Sequence, residues 1–286
     1  MTTILNGKEY SLKFREQLKD KVAILKEKHG IVPGLAVVII GEDSASQIYV
    51  RNKIKASEDV GLNSVTVRLS EEISQEEAEN EVYKLASRQD IDGIIVQLPL
   101  PKKFDSAKIL SKIPTEKDVD GLCAENLGKL LVGEDALISC TPNGIIQLLK
   151  GYGIEFSGKH AVVIGRSNMV GKPVSALLQK ENCTVTMCHS KTQNIKNYTL
   201  QADILVAAIG KANYVTADMV KDGAIVVDVG INRVDGKLYG DVDYENVFDK
   251  ASYITPVPGG VGPMTVTMLM FNAFTACLRN NNIDEF

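Results

Sequence analysis

No strong excess of either charge marks this chain. Its 32 Lys and Arg against 36 Asp and Glu leave a net charge of −4, so no global positive field invites nucleic acid. No apolar run reaches the ~18 residues of a membrane span, so no membrane partner is expected. The opening MTTILNGKEY shows no charged-then-apolar signal pattern. Cysteines are few and scattered: Cys123, Cys140, Cys183, Cys188 and Cys277 are odd in number and form no C-x-x-C pair. That fits reduced thiols in a cytoplasmic protein. The three histidines lie far apart, which gives no metal-ligand spacing, and no metal is expected. There is no internal repeat and no low-complexity segment. The remaining composition, 44% hydrophobic and 24% charged over 286 residues, is that of a globular chain of about two domains at ~150 residues each.

The most informative stretch is KHAVVIGRSNMVGKP, Lys159 to Pro173. Ala161 to Ile164 reads as a strand buried on both faces. Gly165 ends it, and Gly171 and Pro173 open a helical pattern. Strand, glycine turn and helix N-terminus is the geometry that holds a phosphate, with backbone N–H groups and the helix dipole facing the anion, though βα turns without ligands also carry glycine. The spacing departs from G-x-G-x-x-G, since Ser167 stands at the second glycine position. The next strand, Thr184 to Cys188, is followed by His189, Ser190, Lys191 and Thr192. No acid stands there to bind a ribose 2′-OH. Ser190, Lys191 and Arg166 either suit a 2′-phosphate or are solvated loop residues, and the missing acid favours NADP over NAD.

Along the chain, an amphipathic helix spans Ser11 to His29 and a buried strand Leu35 to Ile40. Ser44 with Gln47 suggests a capping box and opens a helix to Gly61, and Ser74 with Glu77 suggests another. Strands follow at Ser64 to Leu69 and Ile94 to Leu98, then a short helix over Asp105 to Ile113. This β-α-β-α-β order is an α/β unit with a mainly parallel sheet. Thr141-Pro142 starts the helix into a second domain. Its strands are Ala161 to Ile164, Thr184 to Cys188, Ile204 to Ala208 and Ile225 to Val229, a doubly wound pattern. Asp235-Gly236 reads as a hairpin turn. A short strand at Tyr253 to Val257 precedes a very apolar helix opened by Pro263.

Several polar residues stand out against their surroundings. Tyr49, Lys53, Ala56 and Val60 fall on one helix face. Lys53 is either a lysine snorkelling from the core edge or one whose pKa burial has lowered for proton transfer. Gln97 ends an apolar strand at its carboxyl end, where ligands bind in open α/β sheets, or it caps loop backbone. Asp118 and Asp120 lie in KDVDG, where turn chemistry is the plain reading. Three glycines in Pro258-Gly259-Gly260-Val261-Gly262-Pro263 suggest backbone pressed close to a ligand or a tight connection.

Taken together, these segments resemble the bifunctional methylenetetrahydrofolate dehydrogenase/methenyltetrahydrofolate cyclohydrolase family. The matching pieces are YVRNK (Tyr49 to Lys53), VQLPLP (Val96 to Pro101), KDVDG (Lys117 to Gly121) and TPNGI (Thr141 to Ile145). They continue with GRSNMVGKP (Gly165 to Pro173), HSKT (His189 to Thr192) and PVPGGVGPMT (Pro256 to Thr265). They run in family order over almost the whole chain. Leu122-Cys123-Ala124 departs from the aromatic-His-Pro sequence of many members.

The resemblance implies two α/β domains flanking a cleft, the second Rossmann-like. Residues 1–139 would form the folate-binding catalytic domain, with a C-terminal helix over 264–286 packing back on it, and residues 140–263 the NADP-binding domain. It implies oxidation of 5,10-methylenetetrahydrofolate by NADP⁺, then hydrolysis to 10-formyltetrahydrofolate, in one-carbon metabolism and purine biosynthesis. Lys53 would be the acid/base, held by a hydrogen bond from Gln97, with Tyr49 packing on the folate and Asp120 binding the pterin. Leu98, Pro258, Gly259 and Gly260 would complete the folate site, and Gly165, Arg166, Ser167, Gly171, Ser190 and Ile231 the nucleotide site. A homodimer through the nucleotide-domain sheet is also implied, with a hairpin arm over Ile231 to Tyr239. Alternatives are a shikimate-type NADP-dependent dehydrogenase, a non-catalytic nucleotide-binding regulator, and a family member that keeps one activity.

Overall fold

A computed structural model describes residues 1–284, with the side chains of residues 44 and 45 outside that description. The chain divides into two compact units. One comprises Lys13–Lys129, Asp135–Cys140 and Val266–Phe286; the other comprises Met1–Leu12, Leu130–Glu134 and Thr141–Thr265. The sequence reading placed residues 1–12 with the amino-terminal domain. They belong instead to the later unit, because strand β1 (Thr3–Ile4) pairs in parallel with the last strand of that unit's sheet.

The first unit is built on a three-stranded parallel sheet of β2 (Gly34–Ile40), β3 (Asn63–Leu69) and β4 (Gly93–Val96), in the order β3-β2-β4. All seven residues of β2 are buried, as an unbroken Gly-Leu-Ala-Val-Val-Ile-Ile run requires in a sheet covered on both faces. Helices α1 (Gly7–His29), α2 (Ser44–Asp59), α3 (Gln75–Ala86) and the short α4 (Ser106–Leu110) alternate with the strands. Helix α1 begins four residues before the expected Ser11. The Ser74–Glu77 box at α3 is complete: each side chain accepts the other residue's backbone N–H. The expected Ser44–Gln47 box lies outside the described residues; Asp43 caps α2 by accepting the Ser46 N–H at 2.8 Å. One core joins Val38, Ile40, Val82, Ile94 and Ile109. Burying each such side chain favours folding by roughly 1.5–3 kcal/mol.

The second unit holds a six-stranded parallel sheet. Its strands are β5 (His160–Ile164), β6 (Thr184–Cys188), β7 (Ile204–Ala207), β8 (Ala224–Asp228), β11 (Ala251–Ile254) and β1, ordered β1-β11-β8-β7-β5-β6. Strand β5 is flanked by β6 and β7, so the strand order reverses there, the place where open α/β sheets bind ligands. An antiparallel hairpin, β9 (Asn232–Val234) with β10 (Lys237–Tyr239), turns at Asp235-Gly236. The last strand sits two to three residues before the expected Tyr253 to Val257.

Of the remaining helices, α5 spans Ala124–Val132, α6 Cys140–Gly151, α7 Gly171–Lys180, α8 Lys196–Thr199 and α9 Tyr244–Val247. The last, α10, runs Val261–Asn280. It starts before Pro263, which sits in the first turn where its missing N–H costs nothing. Among the described residues it is the one helix long and apolar enough to cross a membrane, and 61% of its most apolar window is buried inside the protein. The expected helix over 264–286 thus ends at Asn280, and residues 285 and 286 lie outside the described residues.

Candidate functional site

Three polar side chains of the first unit converge. Lys53 lies on α2, whose inner face buries Val50, Ala56 and Val60. Its Nζ donates to Gln97 Oε1 at 2.9 Å. Gln97 follows β4 directly, and its own Nε2 donates to the Leu98 carbonyl at 2.6 Å. That second bond fixes the amide so that its oxygen faces the lysine. The lysine is therefore the donor, reversing the direction expected from sequence. Burial lowers the Lys53 ammonium from its usual value, while the nearby Asp120 carboxylate pulls it back up. Burial likewise raises the Asp120 carboxyl, and Lys53 opposes that. Both groups are thus pushed toward their neutral forms by lost solvent and toward their charged forms by each other. Tyr49, one turn before Lys53, is 40% exposed.

The two aspartates of KDVDG behave differently. Asp118 is buried and accepts the Cys123 N–H at 2.8 Å and the Asn126 amide at 3.1 Å. It also makes a parallel bridge to Ile94 of β4. Asp118 is the turn-holding residue, and it sets Asp120 beside the lysine. Leu122-Cys123-Ala124 is held by that same Cys123 N–H bond and leads into α5.

Cys140 is a neighbour that sequence reasoning missed. It is 2% exposed, lies beside Asp120 and donates its one S–H to the Val119 carbonyl at 3.3 Å. Burial and the Asp120 charge raise it well above the ordinary thiol range, so it stays a thiol. Asn272 of α10 donates to the Val119 and Ile138 carbonyls, each at 2.8 Å, and fixes the same loop. Only its place directly before Thr141-Pro142 set Cys140 apart from the other scattered thiols.

In the second unit, the expected nucleotide residues share one edge. Gly165, Arg166 and Ser167 follow β5, Ser190 follows β6, and Ile231 follows β8, all at carboxyl ends of parallel strands. Gly165 has φ +129°, and a Cβ there would meet the Ala208 carbonyl oxygen at 2.2 Å. A Cβ at Gly171 would meet the Gly165 carbonyl oxygen at 2.3 Å. The turn therefore exists only with bare backbone, as close approach to a pyrophosphate demands. The Ser167 hydroxyl accepts the Val170 and Gly171 N–H groups at 3.1 and 3.4 Å, so those amides are not bare as expected. Arg166, Ser190 and Lys191 are exposed, and the segment after β6 holds no acid. This donor set fits a dinucleotide carrying a 2′-phosphate. Gly259 and Gly260 serve the backbone: Lys8 N–H donates to the Gly259 carbonyl and Gly260 N–H to Pro256, each at 2.9 Å. Among the described residues no cluster of His, Cys, Asp and Glu could hold a metal ion.

Residues 5–120 match the tetrahydrofolate dehydrogenase/cyclohydrolase catalytic domain, and residues 139–281 match the NAD(P)-binding domain of the same family. The chain belongs to the tetrahydrofolate dehydrogenase/cyclohydrolase family. It is 52% identical to the "Bifunctional protein FolD" of an Exiguobacterium species over 279 residues, 98% of this chain and 100% of that protein. The crystal structure of the bifunctional enzyme FolD from Campylobacter jejuni is similar at TM-score 0.95 and 47% identity, covering 98% of this chain and 99% of that one. The Trypanosoma brucei dehydrogenase-cyclohydrolase, complexed with NADP cofactor and inhibitor, is similar at TM-score 0.93 and 38% identity, covering 97% of this chain and 98% of that one.

Proposed function

We propose that this chain is a bifunctional one-carbon enzyme. It oxidises 5,10-methylenetetrahydrofolate to the 5,10-methenyl cation with NADP⁺ and hydrolyses that cation to 10-formyltetrahydrofolate. Within a chain of this family, the carrying observation is the Lys53 amine held by Gln97 beside Asp120.

When bound, the nucleotide would supply a hydride acceptor. Gly165, Arg166, Ser167, Gly171, Ser190 and Ile231 would hold it, with Arg166 and Ser190 toward the 2′-phosphate. In the oxidation, a folate nitrogen lone pair pushes in as the hydride leaves, so this step asks the protein mainly for positioning. Tyr49 packs on the folate, Leu98 borders it, and Asp120 accepts hydrogen bonds from the pterin.

The hydrolysis moves protons. Water adds to the methenyl carbon, the bond from that carbon to the ring nitrogen breaks, and that nitrogen gains a proton. One further proton is released, which balances the cation and water against the neutral formyl product. Lys53 Nζ, lowered by burial, takes the proton from the adding water and returns it to the leaving nitrogen. Its bond to Gln97 Oε1 uses one N–H and so orients the lone pair. Asp118, through its bonds to Cys123 and Asn126, sets the loop that carries Asp120, and the buried Cys140 lies beside it.

We further infer a cytoplasmic homodimer, with the β9–β10 hairpin as its arm. Val234 and Leu238 are exposed hydrophobic residues on that hairpin. Light scattering at micromolar concentration should give the mass of two chains; one chain's mass ends the dimer reading.

Incubation with 5,10-methylenetetrahydrofolate and NADP⁺ tests the function. NADPH should form and 10-formyltetrahydrofolate should follow. No folate-dependent NADPH would sink the assignment, and lasting methenyl product would reduce the chain to a dehydrogenase.

A further inference from the structure

The carboxyl edge of the second unit's sheet contains two buried carboxylates for which the reaction has no use. Asp228 ends β8 and is 3% exposed; Asp241 follows the β9–β10 hairpin and is fully buried. Asp241 accepts four hydrogen bonds. Its Oδ2 takes the Ile209 and Gly210 N–H groups at 2.7 and 3.0 Å. Its Oδ1 takes the Lys211 N–H at 2.8 Å and the Asn232 side-chain amide at 2.9 Å. Asp228 Oδ1 takes the Gly230 and Asp241 N–H groups at 3.1 and 2.8 Å, and Oδ2 takes the Val242 N–H at 2.9 Å. The pair therefore ties together the loop leaving β7, the loop leaving β8 and the segment after the hairpin.

A mere filler of space would not be built this way. Two carboxylates so close repel, and no cationic side chain is among their donors, so the arrangement is costly to bury. An asparagine at either place would offer one acceptor oxygen where two are used. The chain around them is shaped to the carboxylates. A Cβ at Gly230 would meet Asp241 Oδ1 at 2.1 Å, and one at Gly240 would meet Asp228 Oδ2 at 1.8 Å. Of the loops thus held, the one leaving β7 flanks the strand-order reversal and the one leaving β8 stands next to it. Ala208 crowds Gly165, and Ile231 follows Gly230 directly.

We propose that Asp228 and Asp241 are positioning residues for the dinucleotide, a carboxylate brace that sets the Ile209–Lys211 backbone and Ile231 at the cofactor edge. This rests on the NADP reading above. It assigns no chemistry to either aspartate. It predicts that loosening the brace harms the reaction that needs the nucleotide and spares the one that does not.

The experiment compares steady-state kinetics of the wild-type enzyme, Asp241→Asn and Asn232→Ala. Dehydrogenase activity is followed against NADP⁺ concentration, and cyclohydrolase activity on supplied 5,10-methenyltetrahydrofolate without nucleotide. Asp241→Asn leaves backbone donors facing an amide and should raise KM for NADP⁺ about tenfold. KM for the folate and the cyclohydrolase rate should stay near wild type. Asn232→Ala removes a single donor and should raise KM for NADP⁺ about threefold. If Asp241→Asn fails to fold, Asn232→Ala carries the test alone. An unchanged KM for NADP⁺, or equal losses in both activities, overturns the brace and leaves the pair a general fold element. A wild-type enzyme that does not reduce NADP⁺ would sink the cofactor reading itself, and the brace with it.

Discussion

The two candidate sites are built from different materials. In the first unit the chemistry lies in side chains. Lys53, Gln97, Asp120 and Cys140 are drawn together, and burial pushes every ionisable member toward its neutral form. In the second unit the site is backbone: a turn that tolerates no Cβ, ringed by exposed side chains such as Arg166 and Ser190. For a lysine to move a proton near neutral pH its pKa must be shifted, and in this site burial supplies the shift. Holding a pyrophosphate requires N–H groups and room, which glycine and a helix end supply without titration. Damage in the first unit should therefore reach the hydrolysis, whereas damage in the second should reach only the nucleotide-dependent step and the choice of nucleotide.

The sharpest break in that comparison is Lys53→Gln, which keeps length and polarity but cannot titrate. Cyclohydrolase activity should fall by ~10²–10⁴-fold, while NADP⁺ binding stays normal and measurable dehydrogenase activity leaves methenyl product accumulating. Full retention of cyclohydrolase would return Lys53 to a snorkelling residue. Next comes Asp120→Ala, which leaves pterin donors unpaired at a cost of about 1–3 kcal/mol. Both activities should fall together, since both use the same bound pterin. An unchanged response to folate concentration in the folded variant would make Asp120 a turn residue like Asp118.

On the nucleotide side, Arg166→Ala with Ser190→Ala should weaken NADP⁺ about tenfold more than NAD⁺. Equal losses would remove both residues from the 2′-phosphate. The smallest effect concerns stability. Burial lowers the folded-state pKa of Lys53 below its unfolded value of 10.5. The unfolded chain therefore binds more protons between those two values, and the folded state gains stability as pH rises through that window. The cost of burying the ammonium is present in full below it. Lys53→Met, free of that cost, should melt slightly higher than wild type at pH 7, with the gain shrinking as pH approaches 10.5. A Tm difference that does not depend on pH would contradict this.

How much was legible in sequence differs between the two sites for the same physical reason. The glycine turn, the strand before it and the missing acid after β6 are local patterns, and each could be read within about thirty residues, the length of one βαβ unit. Lys53, Gln97 and Asp120 showed only as misfits in their own segments. Their meeting depends on α2, β4 and the KDVDG loop being brought together by a parallel sheet, and period and spacing cannot state that. Cys140 carried only its place before the Thr141-Pro142 helix start, which is a weak signal because a buried cysteine there resembles any small core residue. The assignment of residues 1–12 failed likewise: β1 is two residues long, and its partner β11 lies some two hundred and fifty residues away. The donor direction between Lys53 and Gln97 was fixed by a third group, the Leu98 carbonyl. The Asp228–Asp241 brace was out of reach for the same reason, since its donors come from three separate loops.

The central claim is that burial makes Lys53 a proton carrier at working pH, and one measurement addresses it most directly. The pH dependence of cyclohydrolase kcat/KM on supplied 5,10-methenyltetrahydrofolate should be recorded for wild type and Lys53→Gln, with the uncatalysed rate subtracted. The wild-type profile should bend at a pH below the lysine's ordinary 10.5, rising as the amine loses its proton, and the bend should vanish in Lys53→Gln. A wild-type profile without that bend, or the same bend surviving in Lys53→Gln, would contradict the account.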